Sequence, residues 1–221
     1  MVVQQDQVRV VEEVFHKNKN MHSDNLIMIF IRNPELGKVK TRLAKTIGDE
    51  KALHIYNLLL NHTNKVTKGV NADKAVFYSD HINSNDQWKI DGFLQLSQKG
   101  SELGEKMTNA FLKAFSMGYK KVIIIGSDCF DLSEKLITDA FDILKESEVV
   151  LGPSKDGGYY LLGMKTFYAS LFQNKSWSTK SVLSETLLDL SNLNIKFKLL
   201  PTLSDIDEEK DWKMYQNIYE L

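Results

Sequence analysis

The chain has 221 residues, 43% of them hydrophobic, which is typical of one globular domain with a sizeable core. Its 28 basic and 29 acidic side chains give a net charge of -1, so there is no basic field to bind nucleic acid. The single cysteine excludes an internal disulfide framework, and no group of Cys and His has zinc-site spacing. No apolar run approaches the roughly 18 residues of a membrane span, and residues 1–25 lack a signal peptide's apolar stretch. We therefore expect a cytoplasmic protein with no membrane partner.

Residues 1–25 are polar, yet Val8, Val11, Val14 and Phe15 recur at helical spacing. This pattern predicts a short helical N-terminal arm. The remainder, 26–221, has no internal repeat or linker and is expected to form one domain.

A basic loop, Pro34 to Arg42, follows the first predicted strand, Leu26 to Ile31. The loop contains Gly37, Lys38, Lys40 and Arg42. Cations and a glycine just ahead of a helical pattern can hold phosphate, because backbone N–H groups and positive side chains then point at one anion. The alternative is a solvated basic turn.

Four apolar residues in an unbroken run, Val122 to Ile125, predict a central strand buried on both faces. Asp128 follows this strand, at the edge where ligands of open α/β sheets bind. A carboxylate there can hold a divalent cation against a phosphate. The alternative is that Asp128 caps the next helix, whose start Ser133 marks better.

Helical and strand patterns alternate along the rest of the chain, which indicates βαβ units and a parallel sheet. Helices are predicted over Asp49 to Lys68, from Ser101 to Gly118, over Ser133 to Lys145 and over Ser181 to Leu190, with a further helix at the end of the chain. Strands are predicted over Ala75 to Tyr78, Phe93 to Leu96, Glu148 to Leu151 and Lys196 to Leu200, and in the aromatic-aliphatic run that follows Gly158.

Two further stretches combine aspartate with unusual neighbours. Asp156 is followed by Gly157 and Gly158, which allow the backbone to turn close to a ligand, although an Asp-Gly hairpin turn has the same signature. Asp205 and Asp207 follow the last predicted strand. Such a pair can bind a metal, and it can equally begin a solvated helix.

Six short motifs occur in an order that resembles the DUF2064 family, whose members are labelled glycosyltransferases or radical-SAM/selenodomain-associated transferases. The motifs are Lys40–Leu43 (Lys-Thr-Arg-Leu), Leu103–Glu105 (Leu-Gly-Glu), Gly126–Cys129 (Gly-Ser-Asp-Cys), Gly152–Gly163, Trp177–Thr179 (Trp-Ser-Thr) and Asp205–Asp207 (Asp-Ile-Asp). The resemblance extends from Leu26 to about Trp212. It implies the GT-A nucleotide-diphospho-sugar transferase fold, a three-layer α/β/α sandwich with a mostly parallel central sheet.

By this resemblance, Lys40 and Arg42 match positions that contact nucleotide phosphates in the loop that contains Gly37. Asp128 and Asp207 match the two metal-binding positions. Asp156, with Gly157 and Gly158, matches the acceptor-side loop. The implied partners are a nucleotide or nucleotide-sugar donor and a small acceptor, with Mg²⁺ or Mn²⁺ as cofactor because only oxygen ligands are on offer.

These residues predict that Asp128 and Asp207 face one another and share one ion, and that replacing either with Ala leaves folding nearly intact because like charges repel. Asp156 is the candidate general base. Transfer from a nucleotide-sugar is favoured, since Gly37 is the only glycine of a loop that would have to wrap a triphosphate. Nucleotidyl transfer with pyrophosphate release, and a catalytically silent nucleotide-binding module, stay open. No Gly-x-Gly-x-x-Gly follows the first strand, which argues against a dinucleotide-dependent oxidoreductase.

Overall fold

The part of the chain described by a computed structural model, residues 23–219, contains a seven-stranded sheet with helices on both faces. The strands are β1 Asn25–Ile31, β2 Asp73–Tyr78, β3 Leu94–Ser97, β4 Lys121–Ile125, β5 Val149–Pro153, β6 Tyr159–Met164 and β7 Phe197–Leu199. Their order across the sheet is β3-β2-β1-β4-β6-β5-β7. Of these strands, β6 runs antiparallel to both neighbours, and the other pairings are parallel. The mostly parallel sheet is as predicted.

The helices alternate with the strands, as the sequence pattern indicates. They are α1 Thr41–Ile47, α2 Asp49–Lys68, α3 Gln87–Ile90, α4 Leu103–Ser116, α5 Glu134–Glu146, α6 Val182–Asn192, α7 Glu209–Trp212 and α8 Gln216–Tyr219, with a 3-10 turn at Ala169–Leu171. The end of the chain therefore carries two short helices where one was expected. Residues 1–22 of the predicted N-terminal arm lie outside the described residues, and Asn25 belongs to β1. None of the described helices combines the length and apolar character of a membrane span.

Two hydrophobic clusters, one on each face of the sheet, form the core. Side chains alternate along the two central strands, so Ile29 and Ile125 join one cluster while Met28 and Ile124 join the other. Helices α2 and α5 cover the first cluster, and α4 and α6 cover the second. These layers confirm the predicted three-layer α/β/α sandwich.

A tight turn joins β5 to β6 and reverses the chain within the sheet. Ser154 N donates to Gly158 O at 3.0 Å, and Gly157 N donates to Ser154 O at 3.1 Å. The Asp-Gly stretch is therefore a hairpin turn, the alternative left open by the sequence. Because β5 is parallel to β7 and antiparallel to β6, which is itself antiparallel to β4, the turn lies at the carboxyl edge of the parallel strands.

Candidate functional site

Three segments that are distant in sequence meet at the carboxyl edge of the sheet. Lys40, from the loop after β1, places its Nζ 2.6 Å from Oδ1 of Asp128, which follows β4. The same Nζ lies 3.5 Å from Oδ1 of Asp207, which precedes α7. Asp128 and Asp207 thus lie close together, and one ammonium group connects them.

Lys40 is almost fully buried within this group. Its side chain is 5% exposed, whereas those of Asp128 and Asp207 are 46% and 40% exposed. Burial lowers the pKa of Lys40, but the charges of Asp128 and Asp207 outweigh that effect and raise the pKa above its usual value. Its backbone is left-handed, with φ 49° and ψ 40°, a conformation that costs about 1–3 kcal/mol in a residue with a side chain and is concentrated at functional sites.

The other cations of the first loop are exposed. Arg42 Nη1 lies 3.7 Å from Oδ2 of Asp207, and its side chain is 71% exposed. Lys38, also 71% exposed, is paired with Glu35 at 2.6 Å. Gly37 has φ 74°, a left-handed conformation that glycine adopts without the cost that a side chain adds. Lys40 and Arg42 are therefore the loop cations that contact the carboxylates.

Asp205 is a member of the site to which the sequence assigned no role of its own. Its Oδ2 accepts a 2.5 Å hydrogen bond from Ser154 Oγ. Burial raises the pKa of Asp205 to about 7; the hydrogen bond from Ser154 opposes this shift, and the charges of Asp128 and Asp156 add to it. The raised pKa could have been anticipated only from the fold, because it depends on burial and on partners far away in sequence.

A backbone hydrogen bond fixes this acidic segment against the loop after β4. Ile206 N donates to Asp128 O at 2.9 Å, and Ile206 is fully buried. The aspartates on either side of Ile206 therefore have different partners. Asp205 accepts a hydrogen bond from Ser154, and Asp207 contacts Lys40.

The predicted acceptor-side residues lie nearby, in the β5–β6 turn. Asp156 Oδ1 accepts a 2.9 Å hydrogen bond from Gly158 N, which holds the exposed carboxylate against its own turn. Gly157 has φ 92°, and a Cβ there would lie 2.2 Å from the carbonyl oxygen of Lys180. Gly157 thus has a structural reason to be present. The charge of Asp156 helps to raise the pKa of Asp205, so the β5–β6 turn lies close to that carboxyl group.

A cavity of about 80 Å³ adjoins Asp128 and Asp205. It is lined by Gly126, Asp128, Cys129, Leu132, Tyr159, Tyr160 and Asp205. Burial raises the pKa of Cys129 to about 12, so its thiol stays protonated at neutral pH and is a poor nucleophile. Covalent catalysis by this cysteine is therefore disfavoured.

Two motifs of the resemblance have a packing role that the sequence did not disclose. A Cβ on Gly104 would lie 2.4 Å from Nε1 of Trp177, so the glycine lets the indole ring lie directly on α4. Tyr56 on α2 makes hydrogen bonds close to the site. Its hydroxyl accepts from Arg32 N at 2.8 Å and lies 3.4 Å from Ser127 Oγ. Tyr56 thereby connects the loops after β1 and β4.

The donor set suits a magnesium ion that keeps water and substrate ligands. No group of three or more His, Cys, Asp or Glu side chains within residues 23–219 is placed to hold a metal by itself. Magnesium commonly uses one or two carboxylates together with waters and phosphate oxygens, at about 2.0–2.1 Å. Asp128 and Asp207 can supply two such ligands, provided that the Lys40 ammonium moves aside.

The sequence also matches a known family. The model of DUF2064, described as an uncharacterized protein conserved in bacteria, matches residues 62–179, which is more than half of the chain. The chain belongs to the DUF2064 family. The matched range of this DUF2064 protein includes Asp128 and Asp156, whereas Lys40 and Asp207 lie outside it.

Relatives and solved structures of transferases extend this result. The chain is 30% identical over 135 residues to 2-phospho-L-lactate guanylyltransferase of Methanocaldococcus jannaschii, covering 59% of this chain and 56% of that protein. A protein of Desulfovibrio desulfuricans G20, provisionally assigned as a nucleotide-diphospho-sugar transferase, is 29% identical with a TM-score of 0.81, over 89% of this chain and 88% of that one. Glucosyl-3-phosphoglycerate synthase of Mycobacterium tuberculosis, solved with Mg²⁺ and uridine diphosphate, has a TM-score of 0.51 at 9% identity, covering 91% and 78% of the two chains. The last likeness shows the fold alone.

Proposed function

We propose that this protein is a metal-dependent transferase that uses a nucleotide-activated donor and transfers a sugar to a small acceptor. The observation that carries the proposal is the meeting of Lys40 and Arg42 with Asp128 and Asp207 at the carboxyl edge of the sheet. Two carboxylates beside two cations form a site of mixed charge, which matches a phosphate group that is bound together with a divalent cation. The structural similarity to a provisionally assigned nucleotide-diphospho-sugar transferase supports the donor class.

Each of these four side chains has a role in the proposed reaction. Asp128 and Asp207 would hold Mg²⁺ or Mn²⁺, and the ion would supply positive charge to offset that of the leaving diphosphate. Arg42, whose side chain is largely exposed, binds phosphate oxygens on the solvent side, and the buried Lys40 binds them on the protein side. Their positive charges orient the leaving group relative to the acceptor.

Asp156 is the proposed general base. The hydrogen bond from Gly158 N orients its carboxylate, and the side chain is exposed at the rim beside Asp205. An acceptor hydroxyl bound at the β5–β6 turn would lie within reach of this carboxylate and could transfer its proton there.

Nucleotidyl transfer is the second candidate, and the identity to the M. jannaschii guanylyltransferase favours it. In that reaction a nucleoside triphosphate is attacked at its α-phosphorus and pyrophosphate leaves, so the loop must surround more negative charge. Gly37 is the only glycine of the 34–42 loop, and Lys38 forms an ion pair with Glu35. Sugar transfer, with a diphosphate as leaving group, therefore remains our first choice.

The decisive experiment is product identification. The protein is incubated with Mg²⁺ and a pool of small metabolites, with nucleotide-sugars in one arm and nucleoside triphosphates in the other. Release of a nucleoside diphosphate that Asp128→Asn abolishes supports sugar transfer, whereas pyrophosphate release that Asp128→Asn abolishes supports the second candidate. The control is Asp139→Asn, because Asp139 is a partly exposed carboxylate on α5 that pairs with Lys135. Nucleotide binding without turnover in either arm would indicate a silent binding module.

A further inference from the structure

The position of Lys40 has a consequence for cation binding. Its ammonium contacts both carboxylates that are proposed to bind the metal, at 2.6 and 3.5 Å. A cation held by both Asp128 and Asp207 at about 2.0–2.1 Å from each oxygen would overlap the volume that Nζ fills, and it would repel the ammonium charge. The ammonium and the divalent cation therefore exclude one another.

Lys40 can leave this position without a change in the backbone. The left-handed conformation at Lys40 and the α1 helix that follows fix its Cα, while four rotatable side-chain bonds allow the ammonium to move. A buried ammonium that loses its carboxylate partners needs another anion, because an unpaired buried charge is costly. The phosphate that accompanies the metal would supply that anion.

We propose that Lys40 is an internal counter-ion that holds Asp128 and Asp207 together in the free protein and is displaced when a divalent cation binds. This inference rests on the proposed function only in placing the cation at Asp128 and Asp207. Its consequence is that free cation binds weakly, because it must displace Lys40, whereas cation together with a phosphate ligand binds well. Lys40 thus couples the two binding events.

The first test measures Mn²⁺ binding by calorimetry, without nucleotide, for the wild-type protein, Lys40→Met and Lys40→Arg. Lys40→Met, which removes the competing charge at nearly constant volume, is expected to bind Mn²⁺ about 5–150-fold more tightly, the usual range of a coupling between two binding events. Lys40→Arg retains the charge and should bind as weakly as wild type. Lys38→Met is the matched control, since Lys38 belongs to the same loop but pairs with Glu35. Equal or weaker Mn²⁺ binding by a folded Lys40→Met protein overturns the proposal.

Two further measurements establish where Mn²⁺ binds and whether the Lys40 ammonium moves. Asp128→Asn introduced into Lys40→Met must abolish the tighter Mn²⁺ binding; if it does not, the ion binds elsewhere and the proposal fails. Reductive methylation of wild-type protein followed by mass spectrometry measures the accessibility of each lysine. Saturating Mn²⁺ should speed methylation of Lys40 and leave Lys38 unchanged, and an unchanged Lys40 rate with Mn²⁺ bound refutes displacement. No product is measured, so the transferase proposal can fail while this inference stands.

Discussion

The β5–β6 turn gives a prediction whose size can be worked out from the structure. Gly157→Ala has two separate costs. The first is the left-handed backbone at φ 92°, which costs a residue with a side chain about 1–2 kcal/mol. The second is steric, since the new Cβ would lie 2.2 Å from the carbonyl oxygen and 2.7 Å from the Cα of Lys180. Backbone atoms cannot rotate away, so the segment around Lys180 must shift, and such overpacking costs about 1–3 kcal/mol.

Gly118→Ala separates the two costs. Gly118 has φ 94°, almost the same as Gly157, but a Cβ there meets nothing within 4 Å. Gly118→Ala should therefore lower the free energy of unfolding by the backbone cost alone, about 1–2 kcal/mol, and Gly157→Ala by about 2–5 kcal/mol in total. Urea denaturation at constant pH measures both values. In thermal unfolding, a protein of this size loses about 2–4 °C per kcal/mol.

The two glycine variants should also differ in activity. Leu183 N donates to Gly157 O at 3.0 Å, so a shift around Lys180 would displace the start of α6 together with the turn that carries Asp156. Gly157→Ala should consequently reduce transfer activity even where the protein is fully folded, whereas Gly118→Ala should not. If both variants are destabilised equally, the contact between Gly157 and Lys180 does not constrain the turn and the prediction is wrong.

Three further predictions concern the site and its surroundings. Arg42→Ala should weaken binding of uridine diphosphate by about 1–3 kcal/mol while uridine binds as before, and an equal loss for both ligands would indicate a structural role. Asp128→Ala should destabilise the protein by about 1–3 kcal/mol, because the buried Lys40 ammonium loses its 2.6 Å partner; unchanged urea denaturation would contradict this. Burial lowers the pKa of His62 below its usual value, although the hydrogen bond to Leu132 O opposes the shift. The unfolded chain therefore takes up the proton more readily than the folded one, and the free energy of unfolding should fall as the pH drops below about 6.5. His62→Gln should reduce this pH dependence in denaturation measured between pH 5 and 8.

The expectation for Asp128→Ala reverses the one drawn from the sequence. From the sequence, Asp128 and Asp207 are two like charges, and removing one relieves repulsion. In the structure Lys40 lies between them, so each carboxylate stabilises a buried cation. A pairing between residues 40 and 128 leaves no periodic or local signal, which is why spacing alone could not reveal it.

Local patterns were sufficient for most of the fold. The unbroken apolar run at Val122 to Ile125 identified a central strand, and Ser133 does cap α5 by accepting from Leu136 N at 3.3 Å. Both signals can be recognised within a few consecutive residues, because a strand buried on both faces needs a run of apolar residues and a helix N-cap needs a particular residue type at one position. The reversed direction of β6 was harder to predict, since the run from Tyr159 to Met164 identifies a strand whichever way it points.

The candidate site shows the same division between local and distant information. The motifs indicated Asp128, Asp207, Lys40 and Arg42, and the structure brings these four together, although their roles stay predictions. Only the family resemblance distinguished Asp207 from Asp205 in the sequence, since composition and spacing show two aspartates on either side of one isoleucine. Their different surroundings follow from the Ile206–Asp128 backbone hydrogen bond and from Ser154, which are distant in the chain.

The attachment of the 205–207 segment to the loop after β4 bears on the order of events during synthesis. In the described part of the chain, β1, β2, β3 and β4 lie side by side and come from residues 25–125, so all four are synthesised well before the 205–207 segment. Ile206 follows some 80 residues later, and loop closure over such a distance comes late. Until then Lys40 would have Asp128 alone as a partner, and a nascent or truncated chain could possess most of the sheet without the assembled acidic group.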